Sequence, residues 1–276
     1  MRHPLLRRSA FILAALLIGL VVPQQRASAQ VRTFGHEEFD TLLHAHVVAG
    51  MVDYDAFASS PAFARYLGRL ATFDPMTLGR NEQLAFWINA YNAYAIQLIN
   101  AHHEHESIRN INKSFGFVKG YGPWKEQIAV VGGHAYGLDE IEQEIIRKRF
   151  GEPRIHFALV CAAMGCPPLR SEAYTGARLE DQLADQGRTF IARSPARNRV
   201  DVASRTVFLS PIFVEFRDYI KDFGGDEAAV GRYIAPYFPA GAERDLLMRG
   251  DFRVEKTRYD WTLNSQANAR RNAASR

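Results

Sequence analysis

The chain has 276 residues, of which 47% are apolar, 23% charged and 12% aromatic. This ordinary globular balance excludes a disordered tail, a collagen-like fibre and a polytopic membrane protein. The formal charge is +4, but Arg2, Arg7, Arg8 and Arg26 all fall in the first 29 residues, which hold no acid, and the remainder carries 30 basic against 30 acidic residues. The positive balance is therefore no argument for a nucleic-acid partner.

Met1 to Ala29 has a basic start, an apolar run from Phe11 to Val22 and a small-residue end at Ala27-Ser28-Ala29, the pattern of a secretory signal cleaved before Gln30. The apolar run is about 12 residues long, whereas a spanning helix needs roughly 20. The expectation is an exported protein, soluble in a bacterial periplasm or outside the cell, with no stable membrane insertion after cleavage. Arg7-Arg8 leaves the general and twin-arginine routes both open. No repeat and no long Pro- or Gly-rich linker divides the chain beyond Gln30, so one globular domain is expected over 30–264, with a polar, disordered tail over 265–276.

Within that domain Phe34, Phe39, Leu42, Leu43, His46 and Val47 recur at helical spacing until Gly50. Val52 to Phe57 reads as a short extended piece, and Ser59-Ser60-Pro61 as a helix start. Glu82 to Asn100 is apolar in every direction, which places a helix in the centre of a fold. Residues 107–124 read as a long loop, and Ile128 to Tyr136 as a hairpin around Gly132-Gly133. Further expectations are a helix over Leu138 to Arg149, a strand over Ile155 to Val160, a loop over Cys161 to Leu169 and a helix near Arg178 to Ala192. Two β runs, Val200 to Val202 and Thr206 to Leu209, precede a Ser210-Pro211 helix start for Ile212 to Phe223. Asp226 opens another helix, and Val254 to Arg258 reads as a last strand. Helices outnumber strands without βαβ alternation. The predicted class is α+β: a single helix-rich domain with a small, mainly antiparallel sheet around a buried central helix, 82–100.

Three stretches carry a family resemblance: Phe86-Trp87-Ile88-Asn89-Ala90-Tyr91-Asn92-Ala93; Arg154 to Cys161 with Cys166-Pro167-Pro168-Leu169; and Leu209-Ser210-Pro211-Ile212-Phe213. Together they resemble the bacterial and plant family called domain of unknown function 547. Leu138 to Glu142 and Tyr259 to Asn264 share that family's pattern, so the likeness spans roughly residues 36 to 264. The resemblance implies boundaries and positions rather than a reaction. His commonly follows the Ile-Glu pair in that family; here the position is Gln143, so a mechanism needing His there does not carry over.

Asn89 and Asn92 share one face of the central helix. Buried amides must be hydrogen-bonded, either to loop backbone or to a ligand they orient. Glu142 sits on the edge of an apolar stripe, as a paired or catalytic acid or as part of a solvated acidic face. His156 and Cys161 suggest a nucleophile pair, but in an extended strand they would lie about 16 Å apart on opposite faces. With Cys161 and Cys166 as the only cysteines, a disulfide pinning their loop is the leading reading in an oxidising compartment. His156, Cys161 and Cys166 lack zinc-knuckle spacing, so no metal or other cofactor is expected. His102, His103 and His105 read as a solvated helix end.

Two functions remain. The first is a non-catalytic envelope domain with a Cys161–Cys166 disulfide that binds a small molecule or an envelope protein, the same polar residues serving as internal struts; where they face a pocket instead, Asn89, Asn92 and Cys166 are the residues expected at the ligand. The alternative is a thiol-dependent hydrolase or acyltransferase using Cys161, with His156 or Glu142 as acid/base.

Overall fold

A helix of 22 residues, Arg80–Ala101, carries the packing of the described chain. Phe86, Ile88, Ala85, Ala90, Ala93 and Leu98 along it are all fully buried. Apolar side chains pointing in every direction require other elements on every side. The computed structural model describes residues 33–112, 122–216 and 218–274. The expected signal, 1–29, lies outside the described residues, as do 113–121 of the expected long loop.

Helices Tyr54–Ala58 and Pro61–Thr72 pack against the central helix, and Glu37–His46 packs against those two. Ser60 starts the third as expected: its hydroxyl accepts from the Phe63 N–H, and Pro61 occupies the first turn, where no N–H is needed. Strands Ala129–Val131 and His134–Tyr136 form the expected antiparallel hairpin. Gly132 and Gly133 take φ values of +58° and +82° at its tip, the conformation a two-residue hairpin turn demands. Leu138–Glu140, a π-helical Ile141–Arg147 and Lys148–Phe150 run together as the expected acidic helix. Further on, Arg199–Asp201 pairs antiparallel with Thr206–Leu209, which pairs parallel with Arg253–Lys256. The result is a helix-rich α+β domain with small, mainly antiparallel sheets.

Two apolar clusters fill it. The larger surrounds the central helix. The smaller stacks Phe157, Phe190, Phe213 and Phe223 with ring centroids 5.0–6.0 Å apart. Tyr259 packs against both.

The two central amides lock this arrangement. Asn89 donates to the Tyr174 carbonyl at 2.7 Å and accepts from the Tyr174 N–H at 2.9 Å. Asn92 donates to the Ala158 carbonyl and accepts from the Val160 N–H, both at 2.9 Å. Each side chain thus acts as a stretch of backbone would, satisfying segments that have no sheet partner there.

Four local expectations need correction. Ile155 to Val160 is not a strand: Ile155–Ala158 is a helical turn, and only Leu159 onward is extended. The turn forms because the N–H groups of Ile155, His156 and Phe157 find carbonyls three residues back, leaving Asn92 to hold its exit. Val52 to Phe57 is extended only at Met51–Val52, since the Asp53 side chain caps a helix at Tyr54–Ala58 by accepting from the Ala56 N–H. The helix expected over Ile212 to Phe223 stops after Pro211–Val214 and resumes as a 3-10 turn, Tyr219–Phe223. The tail is a helix, Gln266–Ala274, rather than disordered. Ser265 caps it, and buried Asn268 donates to the carbonyls of His105 and Leu263. A further helix, Ala242–Arg249, is not among the elements expected from the spacing.

Asn92→Ala is expected to strand a buried carbonyl and a buried N–H, a loss of about 2 to 4 kcal/mol. Calorimetry should show Tm lower by roughly 5 to 15 °C; an unchanged melt would mean that the clamp does not hold the segment.

His36 yields a second expectation. Its Nδ1 lies 2.7 Å from the Tyr66 hydroxyl, and its buried Nε2 has no hydrogen-bond partner. Burial, helped by the Arg69 charge, pushes its pKa from 6.5 down to about 3. Between those values the unfolded chain binds the proton that the folded chain refuses, so His36 makes stability fall as pH drops through this window. Urea unfolding at pH 7, 6, 5 and 4 should show a shallower decline for His36→Leu than for the parent; parallel declines would rule His36 out as the acid-sensitive group.

Candidate functional site

The loop from Cys161 to Cys166 begins where the Asn92 clamp ends. Ala162 turns it with a left-handed φ of +58°, and the sulfurs of Cys161 and Cys166 are joined in a disulfide with Cα atoms 6.1 Å apart. The Cys161 N–H donates to the Cys166 sulfur at 3.1 Å. The far side of the loop is fastened to the C-terminal segment: the Met164 and Gly165 N–H groups donate to the carbonyls of Thr262 and Asp260, each at 2.8 Å. Gly165 is required there, because a Cβ would stand 2.9 Å from both the Tyr259 ring and the Asp260 backbone nitrogen. That close approach lays Tyr259 over the disulfide, with its hydroxyl 3.1 Å from each sulfur. Disulfide sulfurs carry no hydrogen, so the hydroxyl is the donor. Burial pushes the Tyr259 pKa upward, which keeps that proton in place.

Beside this loop opens a cavity of about 340 Å³. Cys161, Pro167 and Leu159 form one wall. Tyr91, Trp124, Phe216, Tyr219, Tyr259 and Trp261 contribute aromatic surface, and Asp139, Glu142 and Glu215 contribute carboxylates. Phe216, Tyr259 and Trp261 form a continuous aromatic group, with Tyr259 and Trp261 centroids 4.6 Å apart and Phe216 to Tyr259 4.7 Å. Asp139 and Glu142 are three residues apart on the acidic helix and reach the same cavity. No described lining residue is Lys or Arg.

His156 closes the inner end. Its ring lies 4.1 Å from that of Tyr219, and its Nε2 is 2.6 Å from Asp222 Oδ2. Arg147 grips the same carboxylate through Nε at 2.7 Å and Nη2 at 2.8 Å, and reaches Asp218 at 3.0 Å. Burial alone would raise the Asp222 pKa, but the hydrogen bonds from His156 and Arg147 outweigh it and hold the carboxyl well below its usual range. Tyr219 donates to Glu142 Oε1, linking this network to the acids of the pocket. Gln143 accepts from Arg147 and so belongs to the same network.

Of the residues singled out from the sequence, Glu142, His156 and Cys161 converge on the one cavity. Cys166 lies behind Cys161, 1% exposed. Asn89 and Asn92 are not among the residues lining it; their amides are committed to backbone. Cys161 and Cys166 hold each other, so neither sulfur is a free thiol. His102 pairs with Glu126 at 2.8 Å. Among the described residues no group of three His, Cys, Asp or Glu side chains could hold a metal ion, and no helix is long and apolar enough to cross a membrane.

Tyr219, Asp222, Arg147, Phe216 and Glu215 were missed by sequence reasoning. Gln143 and Arg147 at i and i+4 on the acidic helix hinted at a polar network, but nothing in the spacing pointed to Asp222, 75 residues beyond Arg147.

Residues 75–191 match the family described as "Protein of unknown function, DUF547", the family that the motifs resemble. The matched segment supplies the central helix, the acidic helix, His156 and the disulfide loop; Phe216, Tyr219, Tyr259 and Trp261 come from beyond it. Neither a curated protein nor a solved structure matches the chain.

Proposed function

We propose that the chain is an exported binding domain whose pocket takes a small organic cation. The observation that carries this reading is the lining itself: six aromatic side chains and three carboxylates around about 340 Å³, with no described basic side chain apart from His156. Aromatic faces attract cations by about 0.5 to 2 kcal/mol each, more as water is excluded. Carboxylates add attraction that a neutral or anionic ligand would not feel. Such a volume suits a ligand at the small end of what protein pockets hold. Glu142, held in place by Tyr219, is the acid positioned to face an ammonium group, and His156 is anchored by Asp222 behind it. The disulfide and Tyr259 stiffen another part of the lining, so that little ordering is left to the moment of binding.

The export reading is supported by the leader-like first 29 residues and by the chemistry of the cysteines, since such pairs persist in oxidising compartments. An anchored ligand-binding wall is also what a disulfide provides there.

Benzyltrimethylammonium, which offers both an aromatic ring and a fixed charge, is expected to change the emission of Trp124 and Trp261 saturably. Benzoate of similar size should have no such effect. Glu142→Gln keeps the hydrogen bond to Tyr219 and should weaken the cation about 5- to 10-fold, near 1 kcal/mol. Equal affinity for the anion, or an unchanged affinity in Glu142→Gln, would overturn the cationic reading.

Expressed at full length in a bacterial host, the protein should be recovered from the periplasm with Gln30 as its first residue by N-terminal sequencing. A chain retained in the cytoplasm with its first residues intact would count against export.

A further inference from the structure

The disulfide is not simply near the pocket; its two sulfurs are presented to it differently. Cys161 lines the cavity, whereas Cys166 is 1% exposed and belongs to the apolar core. Of the two cysteines only Cys161 lines the cavity, so a reagent arriving through the pocket is expected to reach Cys161 and not Cys166. Thiol–disulfide exchange needs the attacking sulfur, the attacked sulfur and the leaving sulfur in line, and its rate depends on how well the leaving thiolate is stabilised. Cys166 alone accepts from the Cys161 N–H, at 3.1 Å, and the Tyr259 hydroxyl, 3.1 Å from both sulfurs, can turn its proton to Cys166 as the bond opens. Hydrogen bonds to an ionised acceptor are roughly twice as strong as those to a neutral one, so both donors favour the thiolate over the intact disulfide.

From this asymmetry we infer that the Cys161–Cys166 bridge is a reactive group of the pocket and exchanges with a small organic thiol bound there. The thiolate of the ligand attacks Cys161 Sγ and forms a new sulfur–sulfur bond. The bond between Cys161 and Cys166 breaks, and its electron pair leaves on Cys166 Sγ. The incoming sulfur is oxidised, the Cys166 sulfur is reduced, and no proton moves because the attacking species is already deprotonated. The product is a mixed disulfide at Cys161 and a thiolate at Cys166, held by the Cys161 N–H and Tyr259. A purely structural bridge has no need of a sulfur facing a cavity with its partner's donors already in place. This goes beyond the binding reading and requires no cationic group on the ligand, because the sulfur it meets is the same for any thiol small enough to enter.

The test uses the folded protein and 2-mercaptoethanol, a small thiol with no cationic group whose thiolate is the attacking form, at pH 8. Pulses of thiol are quenched with N-ethylmaleimide, and the positions of both modifications are read by peptide mass mapping. The expected species carries mercaptoethanol on Cys161 and the maleimide on Cys166. Mercaptoethanol on Cys166, or a bridge that opens only when denaturant is added, overturns the inference. Tyr259→Phe should slow the opening several-fold while the melting transition is retained; an unchanged rate in a folded variant overturns the part assigned to Tyr259. Because the probe carries no cationic group, its result is separate from that of the ammonium titration: exchange at Cys161 without ammonium binding leaves this inference standing and removes the cationic reading alone.

Discussion

Two carboxamides that water does not reach determine where the pocket wall stands. Asn92 grips the chain on both sides of Leu159, and Asn89 grips Tyr174, so the segment carrying Cys161, Cys166 and Pro167 is suspended between two fixed points on the central helix. A backbone carbonyl and N–H without partners would each cost about 1 to 3 kcal/mol in such surroundings. The segment cannot drift from the helix without exposing that cost. The disulfide and the backbone pairing with residues 260–262 then fix what lies between the anchors. Rigidity is built inward from the helix, and the chemistry sits at its outer edge.

The pocket also lies at a seam. The cluster around the central helix and the smaller aromatic cluster share Tyr259 at their margin, and the cavity opens where they fail to merge. Clefts between packed units are where binding sites most often form. Here the seam joins segments far apart in sequence: acids from 139–142, the disulfide from 161–166, aromatics from 216–219 and 259–261. Together they leave a concave surface of mixed character that neither cluster would expose alone.

Much of the framework was readable from spacing, because those elements are set by local rules. The all-round apolar run gave the buried helix, Ser60-Pro61 its capped neighbour, and Gly132-Gly133 the hairpin. The misreadings share a cause. Ile155 to Val160 looks like a strand because its apolar residues are contiguous, yet burial on all sides suits a helical turn equally well, and the deciding interaction comes from Asn92, 66 residues from Ala158. The last helix reads as disordered because it is polar, but one buried side chain, Asn268, ties it down. Glu142, His156 and Cys161 could be suspected from residue type. Their convergence could not be read, since it depends on Tyr219 and Asp222, whose positions result from a break in the helix that Ser210-Pro211 predicts to be continuous.

His156 shows why residue type alone misleads about mechanism. In an extended strand it and Cys161 would face opposite ways. In the helical turn both border one cavity, and the geometric objection to their acting at one site disappears. A different restriction replaces it. Asp222 accepts from His156 while holding Arg147 with both oxygens, so the imidazole nitrogen on that side is committed. Only the other nitrogen is left to meet a ligand. Cys161, for its part, presents an electrophilic sulfur to the cavity rather than a nucleophilic one. The pairing that the sequence suggested, a base beside a thiolate, is inverted: an anchored ring and an acid share the pocket with a bond that a thiolate could open.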